Sequence, residues 1–221
     1  ELHETAQLIQ TKTGVDVLPV VCDLTKGNDI ENLVTSTLEQ FSRIDILVTN
    51  LPHPSEGGLF TLTDDDWQYG FESMLLPVIR LYRLVVPIMQ QQQWGRIVNI
   101  TSLVVKEPSL SYLTSGVFRT GIVSLSKSIA RLYGGDGIRI NTLCPGLFRT
   151  PLGEAIIHNK AEQEGTSLDD AESAIASLTA TKQIGEPEEL AGLVTFLCSD
   201  IANHITGQVI GIEGGKLRGL F

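Results

Sequence analysis

At 221 residues the chain is long enough for one well-buried domain over residues 1–221, and no shift in composition marks a second. Acidic residues outnumber basic ones by 26 to 16; the resulting net charge of −10 argues against nucleic acid or an anionic membrane as the main partner and describes a solvated acidic surface. No apolar run reaches membrane-spanning length, and Cys22, Cys144 and Cys198 are dispersed in apolar settings, which indicates buried thiols in a reducing compartment and sets the expectation of a cytoplasmic protein.

Glu1 to Lys12 reads as the end of an amphipathic helix, with Leu2, Ala6, Leu8 and Ile9 apolar and Gly14 as its stop. Val15 to Cys22 is strand-like and leads into Asp23-Leu24. Asp29 to Phe41 predicts a helix with Ile30, Leu33, Val34, Leu38 and Phe41 on one stripe. Ile44 to Val48 is a short, continuous apolar strand of the parallel-sheet kind, and Thr49-Asn50-Leu51-Pro52-His53-Pro54 is the loop after it. Thr63 is the expected N-cap of a long helix, with Asp64, Asp65 and Asp66 at its positive end. Phe71, Met74, Leu75, Val78, Leu81, Val85 and Ile88 form its stripe, and Pro77 is expected to bend it.

Arg96 to Ile100 predicts a buried strand, followed by a loop with Pro108 and then a helix from Tyr112 carrying Val117, Ile122, Leu125 and Ile129. Ile138 to Leu143 is another strand, ending in Cys144-Pro145-Gly146. Pro151 to Ala180 is polar and Ala-rich, so helical and mobile. Pro187 stands at the first position of the helix of Leu190, Leu193, Val194 and Leu197. Val209 to Ile212 closes as the last strand. Strands alternating with helices on short loops predict an α/β fold with a doubly wound parallel sheet.

The stretch from Trp94 to Arg119 carries the chemistry. Ser102 sits just past the carboxyl end of a buried strand, where open α/β sheets bind ligands. Ser115 follows it by thirteen residues, and Ser115 and Arg119, four apart, share one helix face. Asn99-Ile100-Thr101 has the form of a glycosylation sequon, but it falls in that buried strand and is set aside. The four histidines, His3, His53, His158 and His204, lack ligand spacing, so no metal site is expected. His53 is noted because its loop follows a strand's carboxyl end.

This frame resembles the short-chain dehydrogenase/reductase family, whose strand ends in a catalytic Ser followed thirteen residues later by Tyr-x-x-x-Lys. Ser102 matches the Ser, whereas Ser115 stands at the Tyr and Arg119 at the Lys. Thr49-Asn50-Leu51-Pro52 takes the place of Asn-Asn-Ala-Gly, Asn141-x-x-x-Pro145-Gly146-x-x-x-Thr150 matches the loop at the nicotinamide, and Gly207-x-x-x-Gly211-x-x-Gly214-Gly215 matches the C-terminal strand. The resemblance spans essentially the whole chain and implies a Rossmann-like sheet. The family's first strand, Gly-rich turn, helix and second strand are not found, so the chain is expected to be an N-terminally incomplete view of a longer one, lacking two strands. A naturally truncated chain would need a partner to fill that gap.

The resemblance implies NAD or NADP as cofactor, with Asp23 and Leu24 at the adenine and Asn50 at the adenosine ribose. Arg119 is implied at the nicotinamide ribose, Pro145 and Gly146 beside the nicotinamide, and Thr150 at its amide or the pyrophosphate. It implies a small carbonyl or alcohol substrate (3-oxoacyl, sugar or similar). The helix Thr63–Met89 carries an apolar stripe wider than one sheet contact needs, so a homo-oligomer, dimer or tetramer, is expected to pack through it and the helix Tyr112–Tyr133. Its catalytic set transfers to Ser102, Ser115 and Arg119. An alkyl hydroxyl is a poor substitute for a phenol as acid, and a guanidinium does not relay protons, so Tyr112, one turn before Ser115, is the candidate replacement acid. Lys106 could bring an ammonium near the substrate, and Met74 stands where the family has an Asn supporting proton relay. Two readings follow: an NAD(P)-dependent oxidoreductase with an altered catalytic set, or a non-catalytic dinucleotide-binding or scaffolding relative.

Overall fold

Four short β-branched segments pair side by side, because buried backbone N–H and C=O groups need partners that only a neighbouring strand supplies. In the computed structural model, which describes residues 1–52 and 55–219, these are β1 (Ile46–Asn50), β2 (Gly95–Ile100), β3 (Ile138–Pro145) and β4 (Val209–Ile212). They form one parallel sheet in the order β1-β2-β3-β4, with Leu47 opposite Ile97, Ile97 opposite Ile140, and Leu143 opposite Ile210.

Helices cover both faces. On one side α2 (Gly27–Phe41), α4 (Leu76–Gln92) and α5 (Leu113–Tyr133) pack Ile30, Val34, Val78, Val85 and Ile122 against Ile97, Ile138 and Ile140. On the other, α8 (Pro187–Leu197) lays Leu190, Leu193 and Leu197 on Val98 and Leu143. The alternation of Ile97 and Val98 between these clusters is the two-residue strand period read out in space. A third, smaller cluster of Ile157, Ala161, Ala171 and Ile184 joins α6 (Pro151–Glu164) to α7 (Leu168–Ala176).

The strand expected at Val15–Cys22 does not form. That segment runs on without regular structure between α1 (Leu2–Thr13), which ends at the left-handed Gly14, and α2. An extended run becomes a strand only when a neighbour takes its backbone bonds, and in the family's order two further strands lie between this segment and β1. Val15 and Val21 are accordingly exposed, as are Ile46 and Val48 on edge strand β1.

The helix expected from Thr63 begins there as α3 (Asp64–Gly70), closed by a capping box in which Asp66 N–H donates to Thr63 Oγ1 (3.2 Å) and Thr63 N–H to Asp66 Oδ2 (2.9 Å). The bend expected at Pro77 takes another form. Phe71–Leu75 is a π-helical turn, and Leu76 N–H reaches back five residues to the Phe71 carbonyl. Proline in a tight helix lacks one N–H and presses on the carbonyl four residues earlier, here that of Ser73; the widened turn gives it room.

Candidate active site

Ser102 stands where β2 runs out, in extended backbone, and its Oγ accepts a 3.5 Å bond from Val104 N–H, capping the short 3-10 turn Leu103–Val105. The preceding Thr101 is fixed to β3: its amide and its hydroxyl both donate to the Leu143 carbonyl at 2.8 Å, and its hydroxyl also contacts Cys144 Sγ at 3.3 Å. The start of the Ser102 loop is thus tied to the strand that ends at Pro145. Burial pushes the Cys144 thiol up, keeping it protonated.

Ser115 and Arg119 are both buried, and they bond one another. Arg119 Nε donates to Ser115 Oγ (3.1 Å), Nη1 to the carbonyls of Ile100 (3.4 Å) and Thr101 (2.9 Å), and Nη2 to those of Leu51 and Pro52 (both 3.3 Å). A guanidinium has five N–H donors, and here each has a protein acceptor. The side chain ties α5 to the loops after β1 and β2. Among the described residues no carboxylate pairs with it, and burial holds its pKa down to about 10.

Tyr112 is the residue before α5, half-buried, and its loop pairs through a bridge with Gly57. Burial and the Glu56 carboxylate, which takes the phenol as a hydrogen-bond donor, both raise its pKa. The family's Lys lowers that of its Tyr; Glu56 works in the opposite direction. Met74 is fully buried in the core that α4 and α5 share. Lys106 follows the turn that Ser102 caps. His53 lies outside the described residues.

Asp23 accepts from the amide (3.0 Å) and hydroxyl (2.7 Å) of Thr25 and pairs with Lys26 at 3.1 Å, which lowers its pKa to about 2. Leu24 packs on the core beside α2, and Asn50 is exposed at the end of β1. Pro145 pairs with Ile212, and a Cβ on Gly146 would sit 2.9 Å from Glu213 Cα, so only glycine lets the two loops meet at this closeness. Thr150 caps α6, its Oγ1 accepting from Gly153 N–H at 3.2 Å. Asn50 therefore lies at the β1 edge of the sheet, and Pro145 and Gly146 where β3 meets β4.

The profile of a family described as enoyl-(acyl carrier protein) reductase matches residues 1–216. The chain belongs to the short-chain dehydrogenase/reductase family. Dehydrogenase/reductase SDR family member 4 of Oryctolagus cuniculus is 32% identical over 203 residues, which make up 91% of this chain and 75% of that protein. The 3-oxoacyl-acyl-carrier-protein reductase FabG of Thermotoga maritima is 31% identical over 197 residues, covering 89% of this chain and 76% of the relative. Among solved structures, the L-sorbose reductase of Gluconobacter frateurii, complexed with NADPH and L-sorbose, superposes with a TM-score of 0.93 at 30% identity, covering 99% of this chain and 84% of that one. The relatives of this short-chain dehydrogenase/reductase are thus oxidoreductases.

Two features of this family member escaped the sequence reading. Asn99, inside the apparent sequon, is fully buried: its Nδ2 donates to Tyr82 Oη (2.8 Å) and Ser126 Oγ (3.1 Å), and its Oδ1 accepts from Thr49 Oγ1 (2.9 Å). The polar spacing of Tyr82 and Ser126 on two helices carries no signal that they converge. Glu56, the partner of Tyr112, sits in a loop with no periodicity to read.

Proposed function

We propose that this chain is an NAD(P)-dependent oxidoreductase that moves hydride between nicotinamide and a small carbonyl compound or secondary alcohol, 3-oxoacyl, sugar or similar, within one Rossmann-like domain over residues 1–221. The observation that carries it is Ser102 at the carboxyl end of β2, on a loop bound to the β3 end that leads into Pro145 and Gly146. The L-sorbose reductase complexed with NADPH supports the choice of cofactor. The residues present fit such a group: Asn50 is exposed at the end of β1, and Ser102 and Pro145 stand at the carboxyl ends of β2 and β3.

When bound, nicotinamide supplies or accepts the hydride. Ser102 donates a hydrogen bond to the substrate oxygen and polarises it. Tyr112 gives that oxygen its proton in the reducing direction, a transfer that Glu56 opposes by raising the pKa of the phenol. Ser115 holds Arg119, which fixes the loops on which Leu51, Thr101 and Ser102 sit. Arg119 gains a ribose hydroxyl only by releasing one of its carbonyls. Asp23 and Leu24 flank the adenine, Asn50 the adenosine ribose, and Thr150 the nicotinamide amide or pyrophosphate. The setting is a cytoplasmic homo-oligomer; among the described residues no helix is long and apolar enough to cross a membrane.

The mutual burial of Ser115 and Arg119 favours a second reading, a dinucleotide-binding relative without turnover. Calorimetric titration with both cofactors, followed by a carbonyl-reduction screen, separates the two. Under the first reading, Tyr112→Phe lowers turnover about 10²-fold or more at unchanged cofactor affinity. Cofactor binding without any turnover leaves the second reading, and no binding of either cofactor refutes both.

A further inference from the structure

The chain is acidic, yet four of its cations line one cavity. Lys106, Lys182, Lys216 and Arg218 line a cavity of about 660 Å³ together with a single acid, Glu107. Among the described residues none of the four forms an ion pair, and the neighbouring Glu213 carboxylate is taken up by the backbone amides of Lys216 and Leu217. Lys182 Nζ donates to the Ser177 carbonyl at 2.6 Å, which leaves two of its three protons free. Its backbone is held at φ 57°; the other non-glycine residues with positive φ among the described residues, Ser42 and Gln93, are helix C-caps, and Lys182 is not. Strain of that kind persists where the surrounding structure fixes a side chain in place.

The cavity belongs to the carboxyl end of the sheet. Lys106 follows the turn capped by Ser102, four residues away, a path of about 8 Å at the rise of a 3-10 turn. Lys216 and Arg218 follow β4. Asn50, a candidate adenosine contact, ends β1 at the opposite edge of the sheet.

We infer that this cavity holds the anionic end, carboxylate or phosphate monoester, of a substrate whose carbonyl or hydroxyl reaches Ser102. The inference rests on the oxidoreductase reading for the reacting end, whereas the anion site itself is measurable without turnover. Exposed cations attract weakly one by one, and together they select for charge at low salt.

The experiment has two arms, both on the full chain. In the first, malonate and inorganic phosphate are titrated by calorimetry into wild type and into a Lys182→Gln/Lys216→Gln/Arg218→Gln variant, with circular dichroism to verify folding. Saturable binding that weakens about tenfold or more in the variant supports the site, and the preferred probe tells carboxylate from phosphate. No binding, or equal binding by the two forms, overturns it. In the second arm, acetoacetate and its ethyl ester are compared as substrates with NADPH and NADH. A kcat/KM about tenfold higher for the acid, falling with added salt and lost in the variant, supports the inference; equal use of acid and ester overturns it. Absence of turnover with either compound, alongside intact anion binding, strikes the oxidoreductase reading and leaves the anion site standing.

Discussion

Replacing Arg119 with methionine removes a buried charge and five hydrogen bonds at once, so two large terms oppose each other. Holding the guanidinium pKa down to about 10 corresponds to roughly 3 kcal/mol against the charged form. Because the folded value lies below the unfolded one, that cost is present in full at neutral pH and is relieved only above about pH 10. The Arg119→Met variant would recover it. Against this, the bonds to Thr101, Leu51 and Ser115 are fully buried, and each partner left unsatisfied costs about 1–3 kcal/mol, or roughly 5 kcal/mol in sum. The lost bonds win by about 2 kcal/mol. For a domain of this size that lowers Tm by about 4–8 °C. Arg119→Lys keeps the charge but offers three donors instead of five, and is expected to be destabilising by about 1–3 kcal/mol. Thermal and urea unfolding, with amide exchange across the loop after β1, measure both. A Tm for Arg119→Met at or above wild type would refute the claim that the three buried bonds outweigh desolvation.

Asn99→Ala leaves Tyr82, Ser126 and Thr49 without their shared partner and is expected to cost about 1–3 kcal/mol, read as a lower urea midpoint at constant slope. The Asp23 carboxyl, held by Thr25 and Lys26, should titrate at about 2 by NMR; since its folded value is depressed, whatever stability it lends is present above about pH 4 and lost on acidification toward 2. Thr25→Val should return the midpoint toward the ordinary carboxylate value. Light scattering should show a dimer or tetramer at micromolar concentration, and charging the exposed Val117 on α5 to Glu should shift it to smaller species.

The elements that showed in the sequence are those whose own residues determine them. Val209–Ile212 lies as read, and Thr63, Gly14 and Pro187 mark helix ends through their own backbone chemistry. The first strand runs Ile46–Asn50 rather than Ile44–Val48 because β2 dictates which residues find partners. Val15–Cys22 has strand composition and no neighbour. The same division holds for the site. Ser102 was legible from its place after a strand, whereas the carbonyls that saturate Arg119 come from residues 18–68 positions away and leave no local trace. Tyr112 could be named as a phenol, but Glu56, which raises its pKa, is supplied by the fold.

The π-helical turn at Phe71–Leu75 acts as a phase shifter. One residue advances an α-helix by about 100°, so the extra residue in that turn resets the angle at which everything after it faces the sheet. Val78, Leu81, Val85 and Met89 are buried because of that reset. Deleting a single residue between 71 and 75 would restore a regular helix and rotate that whole stripe out of the core. A point substitution on the same turn would disturb only its own contacts. The helix therefore tolerates changes of residue type there far better than changes of length.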